Sequence, residues 1–175
     1  MIDFGNIRYL KNGNERQKRV YDVLIKHQIF DILVEFDPIL TGTFPIEIDI
    51  PGSDLDICCY FRDADDFAEL IKKSFCKHTD FLLSETYFNH QKTIIANFNV
   101  EDFEIEIFAQ NIPTRNQNAF RHMLIEHQIL LQRGEEFRRA IIDLKLKGEK
   151  TEPAFAKLLD LKGNPYQAIL DYNIH

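Results

Sequence analysis

The chain has 175 residues, 45% of them hydrophobic and 28% charged, the make-up of a globular protein long enough to bury a real core. Its formal net charge of −7 argues against a broad duplex-DNA or anionic-membrane surface, because phosphate binding needs clustered Lys and Arg. Fifteen phenylalanines and no tryptophan point to a core built on Phe and Ile.

Residues 1–6 lack the basic segment and apolar stretch of a signal peptide. No apolar run approaches membrane-spanning length, so the expectation is a cytoplasmic protein without a membrane partner. Asn12-Gly13-Asn14-Glu15 predicts a helix entry, with Val20, Val23, Leu24 and His27 following at helical spacing. Arg16-Gln17-Lys18-Arg19, the compact basic run, reads as the solvated side of that helix. A strand includes Pro38-Ile39-Leu40-Thr41 and ends at Gly42. Phe44 to Gly52 alternates apolar and acidic residues between two prolines and reads as extended, with Pro51-Gly52 as a turn. A strand from Asp54 to Phe61 follows, then a helix from near Asp63 with Phe67, Leu70, Ile71 and Phe75 inside.

Three extended runs come next, Phe81–Tyr87, Thr93–Phe98 and Phe103–Phe108, with Asn89-His90 and Glu101-Asp102 as turns. They predict an antiparallel meander. After Pro113 the pattern turns helical: Asn116–Gln132, Glu135–Leu146, Pro153–Leu161 and Pro165–Tyr172, broken at Gly134, Gly148 and Gly163. The organisation is a mixed α/β core over residues 1–110 and a helical region over 111–175 packed on it as one unit. Cys58 and Cys59 are neighbours on one strand and Cys76 is the third cysteine, so neither a disulfide framework nor a zinc site is implied.

Chemistry concentrates in Leu40-Thr41-Gly42-Thr43 and Gly52-Ser53-Asp54-Leu55-Asp56-Ile57. Side chains alternate across a strand, so Asp54 and Asp56 share a face about 7 Å apart. At that distance two carboxylates repel by about 2–3 kcal/mol near an effective dielectric of 20, which a divalent cation would reverse. A bare Asp-x-Asp carries no weight, and Asp63-Ala64-Asp65 is such a chance pair; the glycine turn, the spacing and the strand setting give 54–56 its meaning. On a second strand Phe103, Ile105 and Ile107 take one face, leaving Glu104 and Glu106 on the other. A solvated sheet face explains two such glutamates equally well when they stand alone. Beside Asp54 and Asp56 the coherent picture is three carboxylates around one or two magnesium ions.

A hydrophobic residue, Gly42-Thr43, a spacer, Asp54-Leu55-Asp56-Ile57 and a later strand acid resemble the DNA polymerase beta-like nucleotidyltransferase superfamily. Gly42-Thr43-Phe44-Pro45, the Gly52–Ile57 block, Ile105-Glu106-Ile107-Phe108 and Lys150-Thr151-Glu152-Pro153-Ala154-Phe155-Ala156 resemble a bacterial family of unknown function with this fold. The resemblance implies an α+β fold: a nucleotidyltransferase-like mixed sheet packed by helices in two layers, with a helical C-terminal extension. It implies Asp54 and Asp56 as paired ligands of Mg2+ or Mn2+, and Glu106, or in its place Glu104, as the third carboxylate. Gly42 and Thr43, with Ser53 nearby, would hold the nucleotide's phosphates; glycine admits a close backbone approach and the hydroxyls donate. The superfamily usually continues from the glycine turn into a short helix, from which the extended reading of 44–51 departs.

Positive charge for a triphosphate is sparse, with Lys92, Arg115 and Arg121 as candidates. Gln117, Arg121 and Gln128 form a polar lane on the helix after Pro113, from which Gln117 and Arg121 would reach a nucleotide or acceptor. His122 and Glu126 form a second lane that reads as a surface pair, and His127 reads as a hydrogen-bonded core histidine.

The leading expectation is a magnesium-dependent nucleotidyltransferase. It would move a nucleoside monophosphate from a nucleoside triphosphate to a hydroxyl of a small molecule or protein. The acidic composition disfavours an extended nucleic-acid acceptor. A non-catalytic nucleotide-binding or interaction module, for example a toxin–antitoxin component, is the alternative. A metal-dependent phosphohydrolase shares the acids but would release inorganic phosphate.

Overall fold

The computed structural model describes residues 2–88 and 90–173. Asn14 caps α1 (Glu15–Lys26) by accepting from the Gln17 N–H, and the Gln17 side chain accepts from the Asn14 N–H, closing a capping box. Val20, Val23 and Leu24 are buried along its inner side. Arg16 and Arg19 stay outside, paired with Asp49 and with Glu101 and Asp102. A short helix α2 (Ile29–Ile32) leads to β1 (Ile39–Thr41) and β2 (Leu55–Tyr60). Asp63 then caps α3 (Ala64–Phe75) by accepting from the Asp65 and Asp66 N–H groups, and Phe67, Ile71 and Phe75 form its buried stripe.

The predicted meander is present as β3 (Thr79–Phe88), β4 (Gln91–Val100) and β5 (Phe103–Gln110). Glu101 and Asp102 turn the chain between β4 and β5, whereas Asn89 of the other expected turn lies outside the described residues. Strand order is β1-β2-β5-β4-β3. β2 and β5 run parallel and the other neighbours are antiparallel, so the sheet is mixed and the fold α+β. On β5 the apolar Phe103, Ile105 and Ile107 are buried, while Glu104 is exposed and Glu106 half-buried. One face of the sheet centre is therefore packed and the other bears acids.

Four further helices follow among the described residues: α4 (Asn118–Arg133), α5 (Glu135–Leu146), α6 (Thr151–Leu158) and α7 (Pro165–Leu170). A larger apolar cluster joins α1 and α3 to the packed sheet face. A second gathers Phe120, Met123, Ile141, Phe155 and Ile169 around Ile39, Ile46 and Ile48. These two clusters explain a departure from the sequence reading. Residues 44–47 form a turn, not an extended segment: the Thr43 carbonyl accepts from the Ile48 N–H at 3.2 Å, and Glu47 takes a φ of +60°. Phe44 packs edge-on to Phe103 in the first cluster, and Ile46 and Ile48 enter the second. Alternating apolar residues here serve two cores, a pattern that imitates a strand without pairing to one.

Candidate active site

The site starts where β1 ends. Thr41 pairs with Asp56 across the antiparallel β1–β2 ladder, and the chain then leaves the sheet through Gly42 at a φ of +72°. A Cβ on Gly42 would stand 2.1 Å from Asp56 Oδ2, so the carboxylate lies directly against the bare glycine backbone. Glycine is required twice here, for the left-handed conformation and for the contact. Asp56 also sits in register with Glu106 on the parallel neighbour β5, which puts the two acids side by side on the same face. Glu106 Oε2 accepts from the Asn97 side-chain amide at 3.3 Å. Burial, then Asp54, Glu106 and Glu152, push the Asp56 carboxyl up to about 8, with Lys145 opposing.

Asp54 and Asp56 line a cleft of about 460 Å³ with Thr41, Gly42, Thr43 and Ser53. The Ser53 hydroxyl accepts from the Ile50 N–H at 3.0 Å and closes the turn before β2. The Thr43 hydroxyl is buried without a hydrogen-bond partner among the described residues. Glu104 faces an adjoining hollow, lined by Arg16, Arg19 and the shared Pro51–Ser53 turn.

The opposite wall comes from the C-terminal helices. His122 and Glu126 of α4, Lys145 of α5, Thr151 and Glu152 of α6 and the preceding Lys150 all line the cleft. His122 and Glu126 are 7% and 3% exposed, which corrects their reading as a surface pair. The His122 ring meets the Tyr166 carbonyl through Nε2 at 2.9 Å and Glu152 through Nδ1 at 3.4 Å. Lys145 donates to the Ile48 carbonyl at 2.9 Å. Burial lowers its ammonium, against the opposing pull of Glu126, Asp49, Asp54 and Asp56. Burial, then Glu152, push the Glu126 carboxyl up to about 8.

Besides Arg115, three expected contributors stand elsewhere. Lys92 pairs with Asp65 and Glu85. Gln117 is buried and its amide donates to the Cys59 and Ile112 carbonyls, tying the start of α4 to β2. Arg121 is exposed and donates to Asn118 at 3.3 Å. None of the three lines the cleft. Arg115 lies over the Phe120 ring. His127 packs edge-on to Phe4 with its Nδ1 buried and, among the described residues, without a partner. Sequence reasoning placed Glu126 on the surface and passed over Lys145 and Glu152. For Glu152 a signal existed, since it sits in the Lys150–Ala156 block; Lys145 looks like any lysine in the last turn of a helix.

Hard oxygen donors on one sheet face, with burial first and mutual repulsion second raising Asp56, form a donor set that fits magnesium. Among the described residues no group of three or more His, Cys, Asp or Glu side chains is already arranged to hold an ion. Mg2+ is commonly held by one or two carboxylates plus substrate phosphates and water, so no pre-formed cage is required.

A family model described as "Domain of unknown function (DUF4269)" matches residues 22–172. No curated protein matches the sequence. Among solved structures, the Cid1 poly(U) polymerase with MgGTP bound aligns at a TM-score of 0.55 and 12% identity, over 79% of this chain and 46% of that one. A chain of the GLD-2/RNP-8 complex aligns at 0.54 and 14%, over 93% and 61%. The polymerase core of TRAMP, an RNA surveillance complex, aligns at 0.51 and 12%, over 90% and 49%. At this identity the likeness establishes a shared nucleotidyltransferase-like fold. The chain spans about half the length of these structures.

Proposed function

The chain belongs to the family described as Domain of unknown function (DUF4269), and from that premise we propose that it is a magnesium-dependent nucleotidyltransferase moving a nucleoside monophosphate from a nucleoside triphosphate to a hydroxyl of a small molecule or protein. The observation that carries the reading is the Gly42–Asp56 contact beside the Asp56–Glu106 register, which sets two neighbouring acids against the bare glycine backbone. Asp54 and Asp56 are the metal ligands, with Glu106 as third carboxylate and Glu104 as its alternate. The metal, when bound, neutralises charge on the triphosphate and polarises the reacting phosphorus centre. Gly42 and Thr43 cradle the phosphates through backbone N–H groups and the Thr43 hydroxyl, and Ser53 holds the turn leading into Asp54.

In the transfer, the acceptor oxygen forms a bond to the α-phosphorus while the bond from that phosphorus to the bridging oxygen breaks. Pyrophosphate leaves, and the hydroxyl proton passes to Glu106. In this reading residues 1–110 supply the acids and the phosphate turn, and 111–175 face the acceptor. The net charge of −7 favours a small or protein acceptor over a nucleic-acid strand. The structural relatives, a poly(U) polymerase among them, support nucleotidyl transfer as the class of reaction.

The test is incubation of the full chain with each nucleoside triphosphate, Mg2+ and an acceptor panel, reading pyrophosphate. Release is expected, with at least a ~100-fold loss in Asp54→Asn; release that Asp54→Asn leaves intact removes the assignment. Inorganic phosphate as product would instead mark a phosphohydrolase. The pairing of Lys92 and Arg121 outside the cleft, which leaves less positive charge for a triphosphate, favours a second reading, a non-catalytic nucleotide-binding module. Calorimetry separates it: tight triphosphate binding without turnover across the panel supports the module.

A further inference from the structure

The helical wall of the cleft carries a carboxylate with one oxygen left without a hydrogen-bond partner among the described residues. Glu126 is 3% exposed, lines the cleft, and its Oε1 has no hydrogen-bond donor among the described residues. Lys145, the lysine whose charge acts on it, commits its ammonium to the Ile48 carbonyl. His122 is also engaged. A carbonyl only accepts, so the nitrogen facing the Tyr166 oxygen carries a hydrogen, and the other ring nitrogen faces Glu152. Glu126 therefore brings a buried acceptor to the cleft while the Lys145 ammonium and the His122 ring are held by other groups. Interiors rarely leave such a group unanswered, and an unpaired buried charge costs several kcal/mol.

A hydroxyl donor would satisfy the oxygen but supply nothing to hold the carboxylate ionised inside the cleft. A protonated amine supplies both a donor and the opposite charge. Glu152 of α6 adds a second carboxylate to the same wall, across the cleft from the acids at Asp54 and Asp56. We propose that Glu126, backed by Glu152, forms an acceptor subsite for the protonated amine of a small hydroxylated molecule, an amino sugar or amino alcohol. The word acceptor rests on the transferase reading; the amine site itself does not.

Binding is therefore measured on the full chain without nucleotide, by ligand-observed NMR with glucosamine and ethanolamine against glucose and N-acetylglucosamine. Both amines are expected to bind at least ~10-fold more tightly than the neutral sugars, and Glu126→Gln should lose at least ~10-fold of amine affinity, the 1.4 kcal/mol or more of a charge-assisted bond. Thermal melting checks that the variant is folded; should it not be, Glu152→Gln serves the same comparison. Equal binding of amine and neutral sugars, binding of neither, or amine binding that both variants leave unchanged would overturn the proposal. Amine binding without nucleotide transfer would remove the transferase reading and leave the amine site standing. Transfer to glucose and glucosamine alike would do the reverse.

Discussion

Gly42 holds a left-handed φ of +72° with the Asp56 carboxylate where its Cβ would be. Gly42→Ala therefore meets two penalties, about 1–2 kcal/mol for the conformation and a displacement of Asp56. A fall in Tm of about 2–8 °C is expected for a chain of this size. Displacing a reacting group by about 1 Å costs near 100-fold in rate, so pyrophosphate release should fall by about that factor. A variant that melts and turns over like wild type would remove the close contact from the argument. Lys92, Gln117 and Arg121 carry the opposite lesson. Each has suitable chemistry, but Lys92 and Arg121 are held by neighbours outside the cleft and Gln117 is spent on two carbonyls of the scaffold.

At the scale of elements, α1 acts as a clamp on the turn that follows β1. Gln17 is 2% exposed; its amide oxygen accepts from the Asn14 N–H and its nitrogen donates to the Phe44 carbonyl at 2.9 Å. Arg16 holds Asp49 and the Ile50 carbonyl in the same segment. The 43–50 connection is thus pinned from outside as well as by its own apolar residues. Gln17→Ala leaves the Phe44 carbonyl and Asn14 N–H without their partner and should cost about 1–3 kcal/mol in chemical denaturation. Because the turn it releases carries Thr43, triphosphate affinity measured by calorimetry on the folded variant should also drop. Unchanged affinity would show that the turn holds its shape without the helix.

For the whole molecule, the buried acids set how stability responds to pH. Asp56 and Glu126 are both pushed up to about 8 in the folded chain, against ordinary values of 3.8 and 4.5. Between those limits the folded state holds protons that the unfolded chain releases, so these two groups make stability fall as pH rises from about 4 to about 8. Asp56→Asn and Glu126→Gln remove one such penalty each. In chelator, the Tm of each variant relative to wild type should climb from pH 5 to pH 8 by at least ~3 °C. A flat difference would mean that the carboxylates are already compensated. Added Mg2+ should raise the wild-type Tm more at pH 8 than at pH 5, since the ion binds the ionised acids and stabilises the state it binds.

By itself the sequence determined what is local. Capping residues at Asn14 and Asp63, the period of the apolar residues and the glycine breaks placed most helices and strands, and strand alternation put Asp54 with Asp56 and Glu104 with Glu106. Only the tertiary structure decided which of those faces meet. The register of β2 with β5 sets Glu106 beside Asp56, and packing of α4 to α6 against the Ile46–Ile48 segment carries Glu126, Lys145 and Glu152 to the cleft. Helical spacing groups His122 with Glu126 but says nothing of whether another element will cover that lane. Burial and electrostatic surroundings arise from contacts between distant parts of the chain, and no periodicity within one segment encodes them.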